Sequence, residues 1–226
     1  MTIDRDRLRT ALRKLGNDRI YSMLGDAIDL LPPSKLAKLA GRYFDAKSLD
    51  AGPENDTTLL AQVKTFEKAS LASSYYESFA VNSKNYREMS GGTRAWIAEC
   101  QRLLERCVTA ARKGDPAETR EAIETIFGLL RHVDECLDDI VFFADEAGSW
   151  QVGVDWGRVL PAWFVCLSAT TDPEEYARRA IEVVGEFAEY NRDKYLAVAG
   201  RKATPAQRKA LATTSTHSRG REEGKR

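Results

Sequence analysis

Apolar residues recur every three or four positions along most of this chain, which is the spacing of one face of an α-helix. No stretch alternates apolar and polar residues over the length of a strand, and no hairpin signal stands out. The pattern therefore predicts an all-α protein. We expect an irregular array of about 8–10 antiparallel helices, solenoid-like or bundled, with no significant β-sheet.

Proline and glycine mark the predicted helix boundaries. Pro32-Pro33 ends the second helix because proline lacks an amide donor. Gly114-Asp115-Pro116 supplies a helix stop, an N-cap and a first-turn proline in consecutive residues, and Asp172-Pro173 repeats the cap and the proline. Such short connections make successive helices antiparallel neighbours.

A polar loop at residues 45–56 is the best candidate for a domain boundary. It separates an N-terminal helical subdomain, residues 1–50, from a main helical domain, residues 57–212. Residues 213–226 are polar and basic without periodicity, which predicts a disordered basic tail.

Residues 134–156, called the acidic-aromatic segment below, depart from the routine helical pattern. Placed on a helix, Ile140 and Val141 belong to the apolar face, whereas Phe142 and Phe143 point elsewhere, together with acidic residues. Phenylalanines on a side that should be wet predict a cover, supplied either by the protein itself or by a partner.

The acidic residues of this segment allow three interpretations. Neutralisation by arginines is favoured, because like charges four residues apart destabilise a helix. Docking of a partner is the second interpretation, and a divalent metal held by carboxylate oxygens is the third. The metal candidates are Asp134, Asp138, Asp139 and Asp145, with Asp155 or Glu99 as additional ligands.

Tryptophan is the other informative residue type in this segment. Trp150 lies between Gly148 and Gly153 in a predicted loop, so it could be an exposed anchor, although packing against neighbouring helices is favoured. The residues predicted to contact a partner are Asp138, Asp139, Phe142, Phe143, Asp145, Glu146, Trp150, Asp155 and Trp156.

Composition narrows the classes of partner. The 34 basic residues balance the 34 acidic ones, so no overall field attracts nucleic acid. The basic tail could bind nucleic acid, although a solubilising end is the favoured interpretation. No apolar run approaches the roughly 18 residues of a membrane span, and the first residues lack a signal-like apolar stretch, which predicts a cytoplasmic protein without a membrane partner.

Catalytic chemistry has few candidates. His132 is the only histidine outside the tail, and Cys136 would share its helix face. The four cysteines occupy apolar positions without a C-x₂-C pair, which predicts buried thiols rather than a zinc site. The recognised nucleotide-binding, hydrolase and zinc-protease motifs are absent from the sequence. We therefore predict no catalytic residue and no cofactor.

Several short stretches together resemble a region of uncharacterised bacterial all-helical proteins that carry or accompany a SWIM-type zinc finger. The resemblance covers about residues 95–190 and implies an all-helical interaction module. The C-x-C pair of the finger itself is absent here. The stretches are Ala111-Arg112-Lys113-Gly114-Asp115, Phe127-Gly128-Leu129-Leu130, Asp138-Asp139, Gly148 to Gly153 and Asp172-Pro173-Glu174.

The leading hypothesis is a non-enzymatic helical scaffold or adaptor that binds another protein through residues 134–156. The alternative is a divalent-metal-dependent hydrolase that acts on a phosphorylated or nucleotide substrate.

Overall fold

The computed structural model describes residues 4–14, 20, 23–24, 27–28, 31, 33–43, 58–136, 139–144 and 148–223. The chain divides into two compact units, Met1–Asp56 and Thr57–Arg226. In the first unit the described helices are α1 (Arg5–Leu12) and α2 (Pro33–Ala40). In the second they are α3 (Leu59–Leu71), α4 (Gly91–Ala110), α5 (Pro116–Glu135), α6 (Trp156–Thr170), α7 (Pro173–Phe187), α8 (Arg192–Lys202) and α9 (Pro205–Glu223).

The prediction of an all-α fold is confirmed. Within the described ranges the chain forms helices and two short 3₁₀ turns, Ser149–Val152 and Glu189–Asn191, and no strand. A single isolated β-bridge joins Met89 to Phe143. None of the described helices combines the length and apolarity needed to cross a membrane.

Side-chain caps fix where the helices of the second unit begin. The Asp115 carboxylate accepts hydrogen bonds from the amides of Ala117 and Glu118, at 2.7 and 3.0 Å, ahead of the first-turn proline of α5. Asp172 accepts from the amide of Glu175 at 2.8 Å in the same way at α7. These caps satisfy amides that have no partner within the helix, as the sequence predicted.

Helix α5 is central to the second unit. It packs against α3 on one side and α6 on the other, and its inward residues include the fully buried Phe127. Large aromatic side chains fill the surrounding core and keep their polar atoms paired. Trp96 donates its indole N–H to the Ser70 hydroxyl at 2.8 Å, and Tyr176 donates its hydroxyl to the Ala199 carbonyl at 2.8 Å. The buried polar atoms of Trp96 and Tyr176 therefore keep hydrogen-bond partners within the core.

The chain around residue 136 differs from the helix that the sequence predicted there. Helix α5 ends at Glu135, and Cys136 adopts the left-handed conformation with φ 51° and ψ 35°. Residues 139–144 are not helical. Acidic residues near a helix C-terminus oppose the helix dipole, so continuing the helix through this stretch would be unfavourable. The prediction of a helix is accordingly wrong for residues 139–144.

Helix α9 continues to Glu223, into the stretch where the sequence predicted a disordered tail from residue 213. The Thr213 hydroxyl donates to the Lys209 carbonyl at 3.1 Å, so a polar side chain of this stretch is used within the helix. No proline follows residue 213 to end a helix.

Candidate docking surface

The two phenylalanines of the acidic-aromatic segment are covered by the protein's own chain. The Phe142 ring meets those of Phe79 and Tyr76 edge to face, with centroids 5.1 and 6.1 Å apart. Phe143 is half-buried against the core, and its backbone pairs with Met89. Residues 76–89 therefore supply the cover that the sequence required.

A threonine hydroxyl holds the same stretch in place. Thr93, fully buried in the first turn of α4, donates to the Phe142 carbonyl at 2.9 Å and accepts from the Phe142 amide at 3.1 Å. The Ser90 hydroxyl donates to Thr93 at 2.9 Å. These long-range bonds replace the helical ones that residues 139–144 do not form.

The structure separates the predicted partner-binding residues into groups. Asp138, Asp145 and Glu146 lie outside the described residues. Asp139 and Asp155 are exposed, whereas Trp156 is half-buried at the start of α6.

The predicted metal ligands are only partly described, since Asp138 and Asp145 fall outside the described ranges. Asp134 directs both of its carboxylate oxygens to Ser149, accepting from the amide at 2.6 Å and from the hydroxyl at 2.7 Å. Among the residues that the structure describes, no group of three or more His, Cys, Asp or Glu side chains could hold a metal ion.

The acidic residues near the end of α5 are not neutralised by arginines within the described part of the chain. None of Asp134, Glu135, Asp139 and Asp155 forms an ion pair with another described residue. Asp134 is instead bound by Ser149, which anchors the 3₁₀ turn that carries Trp150.

Trp150 is exposed, whereas the sequence favoured its packing against neighbouring helices. Its side chain is 71% exposed. Its ring lies against the backbone of Gly148, where an added Cβ would stand 2.6 Å from Cδ1 and 2.7 Å from Nε1 of the indole. Gly153 ends the turn at a positive φ of 66°, a conformation that glycine adopts without strain. The turn thus holds a large apolar side chain out toward solvent.

Beside Trp150 lies a groove of about 480 Å³ between the 3₁₀ turn at 149–152 and the end of α7, called the aromatic groove below. Aromatic and acidic side chains dominate its lining. The aromatic ones are Trp150, Trp156, Phe187, Tyr190 and Tyr195, and the acidic ones are Asp134, Glu186 and Glu189.

The floor of the aromatic groove is continuous with the hydrophobic core. Trp156 stacks on Phe187 with centroids 5.0 Å apart and an interplanar angle of 23°. Both rings also contact the buried Phe127, at 5.7 and 5.1 Å. Tyr190 and Trp150 stand exposed at its edge. A rigid floor and exposed edges are the arrangement expected of a preformed binding surface.

Two ion pairs fix the acidic side of the groove. Glu186 binds Arg131 through both carboxylate oxygens, at 2.6 and 2.7 Å, and these bonds raise the pKa of Arg131. The same guanidinium lies 5.5 Å from the centroid of the Phe187 ring. Glu189 binds Arg192 at 3.2 Å. Sequence reasoning missed the contribution of α7 and the 3₁₀ turn after it, since only tertiary packing brings them beside residue 150.

The cysteines correct one further expectation. Cys100, Cys107 and Cys166 are buried as predicted, and burial raises their thiol pKa values to about 12, about 12 and about 11. Cys136 is exposed because α5 ends at Glu135, so the residue does not belong to the apolar face of that helix.

Comparison with protein-family models, curated proteins and solved structures gave no match. The resemblance to SWIM-associated helical proteins therefore stays a prediction.

Proposed function

We propose that this chain is a non-enzymatic helical scaffold or adaptor that docks another protein on the surface formed by the acidic-aromatic segment and the aromatic groove. One observation carries the proposal. Trp150 is 71% exposed, yet it stands on a turn tied at one end by Asp134 and Ser149 and pressed against Gly148. A tryptophan held rigidly in water is otherwise a liability for a protein surface.

A surface whose side chains are already ordered binds at a lower entropic cost. When side chains become ordered only on contact, the lost conformational entropy weakens the affinity. Trp150 is already ordered by its turn, and Trp156 by its stacking on Phe187. Tryptophan and tyrosine are also the residue types most often found at the energetic centres of interfaces. The surface is therefore suited to a partner that buries the indole of Trp150.

The proposal moves the centre of the predicted site. Phe142 and Phe143 are no longer at its centre, since residues 76–89 already pack against them. Trp150 and Trp156 provide the contact area, together with side chains from the end of α7. Asp138, Asp139, Asp145, Glu146 and Asp155 remain predicted partner-binding residues.

Replacing Trp150 tests the proposal. Wild type, Trp150→Ala and a control, Tyr43→Ala, serve as baits in native lysate. Tyr43 is 76% exposed, so its removal changes the same kind of surface in the other unit. We expect the alanine at 150 to lose at least one partner that wild type and the control retain. All three proteins should melt within a few degrees of one another, because surface substitutions change stability by about 0.5 kcal/mol or less.

Equal capture by all three baits would contradict the proposal. Loss of capture accompanied by a large drop in melting temperature would also contradict it, since Trp150 would then support the fold rather than a partner.

A further inference from the structure

We infer that the partner segment docked in the aromatic groove carries an arginine, whose guanidinium lies among the exposed aromatic rings and the carboxylates of the groove. This inference rests on the proposed function, because it names the chemistry of the partner at the same surface. Three observations support it: the sign of the lining charges, the helix ends at the groove and the aromatic rings.

The charged side chains that line the aromatic groove all have one sign. Within the described part of the chain they are Asp134, Glu186 and Glu189, with no lysine or arginine among the lining residues. Arg131 and Arg192 bind Glu186 and Glu189 but do not line the groove. They position two of the three carboxylates and balance their charges, and Arg131 also lies against Phe187 of the groove floor. Asp134 is the lining carboxylate that has no ion pair among the described residues.

Two helix C-termini meet at the groove. Asp134 belongs to the last turn of α5, and Glu186 and Phe187 belong to the last turn of α7, and all three line the groove. A helix C-terminus carries about half a negative charge, so lysine or arginine normally occupies its last turn. Here acidic residues stand at both ends instead. Arg131 neutralises Glu186, whereas the described partner of Asp134 is the uncharged Ser149, so a cation from outside would find this carboxylate without a counter-ion.

The rings favour arginine over lysine as that cation. A guanidinium is planar and weakly hydrated, and it stacks on aromatic faces, whereas an ammonium is compact and strongly hydrated. The fold already uses this contact where Arg131 lies 5.5 Å from the centroid of the Phe187 ring and where Arg87 lies 5.2 Å from that of Tyr86. Trp150 and Tyr190 offer further, exposed rings at the same groove. A basic, extended segment of a partner protein fits this surface.

Matched peptides test the inference. The probes are fluorescein-labelled Gly-Arg-Gly-Arg-Gly and its citrulline counterpart, which keeps the shape of arginine and removes its charge. Fluorescence anisotropy measures their binding to the full-length chain. We expect the arginine peptide to bind about tenfold more tightly than the citrulline peptide, the ratio that one desolvated cation–π contact supplies. A Gly-Lys-Gly-Lys-Gly probe should bind between the two.

Variants locate the binding. Trp150→Ala, which changes no charge, should weaken the arginine peptide about tenfold and so exclude general attraction to an acidic surface. Glu189→Gln should also weaken it. Glu118→Gln is the control, because it removes the same charge from the opposite end of α5. It should leave binding unchanged.

The outcomes separate this inference from the proposed function. Equal binding of the arginine and citrulline peptides, both lost in Trp150→Ala, would overturn the arginine and retain the docking surface. Binding of the arginine peptide that survives Trp150→Ala would place the cation elsewhere and overturn the inference. If neither peptide binds while Trp150→Ala still loses a protein partner from lysate, this inference is overturned and the proposed docking surface is retained.

Discussion

Gly148 and Asp134 determine where the indole of Trp150 stands. The Asp134 carboxylate anchors Ser149 at the start of the 3₁₀ turn, and the missing side chain of Gly148 leaves room for the Trp150 ring. The sequence shows glycines on either side of Trp150, but it does not show their structural role. A glycine can mark either a flexible loop or a close contact, and only the geometry separates the two.

Gly148→Ala should displace the ring of Trp150. The added Cβ would meet the indole at 2.6 Å, closer than van der Waals contact allows, so ring or turn must move. We expect a loss of about 0.5–1.5 kcal/mol in the free energy of unfolding, the cost of an off-rotamer side chain, and loss of the Trp150-dependent partner. Urea denaturation gives the first value.

The matched control is Gly128→Ala, where the added Cβ meets nothing within 4 Å. It should be neutral or stabilising by up to about 1 kcal/mol, because alanine favours a helix interior over glycine. Equal stability of the two alanine variants would show that Gly148 is not needed for the position of Trp150.

The cysteines should differ in reactivity. Cys136 is exposed, whereas burial raises the pKa of Cys100 and Cys107 to about 12. At pH 8 a thiol with that pKa is about 0.01% thiolate, the reactive form. In an Ellman titration of the native protein we expect one thiol to react rapidly, and the others only after denaturation. Rapid reaction of a second thiol would contradict the assigned burial.

The same pKa shifts give a pH dependence. A thiol whose folded pKa exceeds its unfolded value keeps its proton longer in the folded state, so it stabilises the fold below the unfolded pKa of about 8.5. That contribution is lost as the pH rises from about 8.5 toward 12. The free energy of unfolding should therefore fall across this alkaline range, and replacing Cys100 with serine should reduce the slope.

Among the elements, the non-helical stretch 139–144 shows most clearly what periodicity could not predict. The regular helices followed from apolar spacing and from caps such as Asp115 and Asp172, since both signals are local in sequence. The backbone of residues 139–144 depends instead on Thr93, 49 residues from Phe142 in the chain. No pattern within residues 133–146 reveals a partner at that distance. The acidic repeats there did indicate that a helix would be strained.

Thr93→Val should make the backbone of residues 139–144 less firmly held. Valine keeps the shape of threonine but leaves the amide and carbonyl of Phe142 without their partner, at a cost of about 1–3 kcal/mol. We expect faster hydrogen exchange in residues 139–144 and lower stability in urea. Thr109→Val is the control, since its exposed hydroxyl bonds only to the Glu105 carbonyl in its own helix. Matching exchange in the two variants would refute the role of Thr93.

At the scale of the whole molecule, the second unit joins a rigid helical core to one preformed surface. Phe127 connects the two, because it is fully buried and touches both Trp156 and Phe187 of the groove floor. The sequence predicted the acidic-aromatic segment as one half of this surface. The other half, from the end of α7, could not be predicted, since the packing that brings it close depends on the whole arrangement of helices.

A photo-crosslinker at position 150 would show whether a partner protein contacts Trp150. The photoreactive residue p-benzoylphenylalanine would replace Trp150 in one protein and Tyr43 in the control, and both would be irradiated in native cells or lysate. We expect a discrete crosslinked protein at position 150, absent from the Tyr43 control and reduced by excess arginine peptide. No specific product at position 150, or the same product at both positions, would contradict the claim that this surface docks a partner.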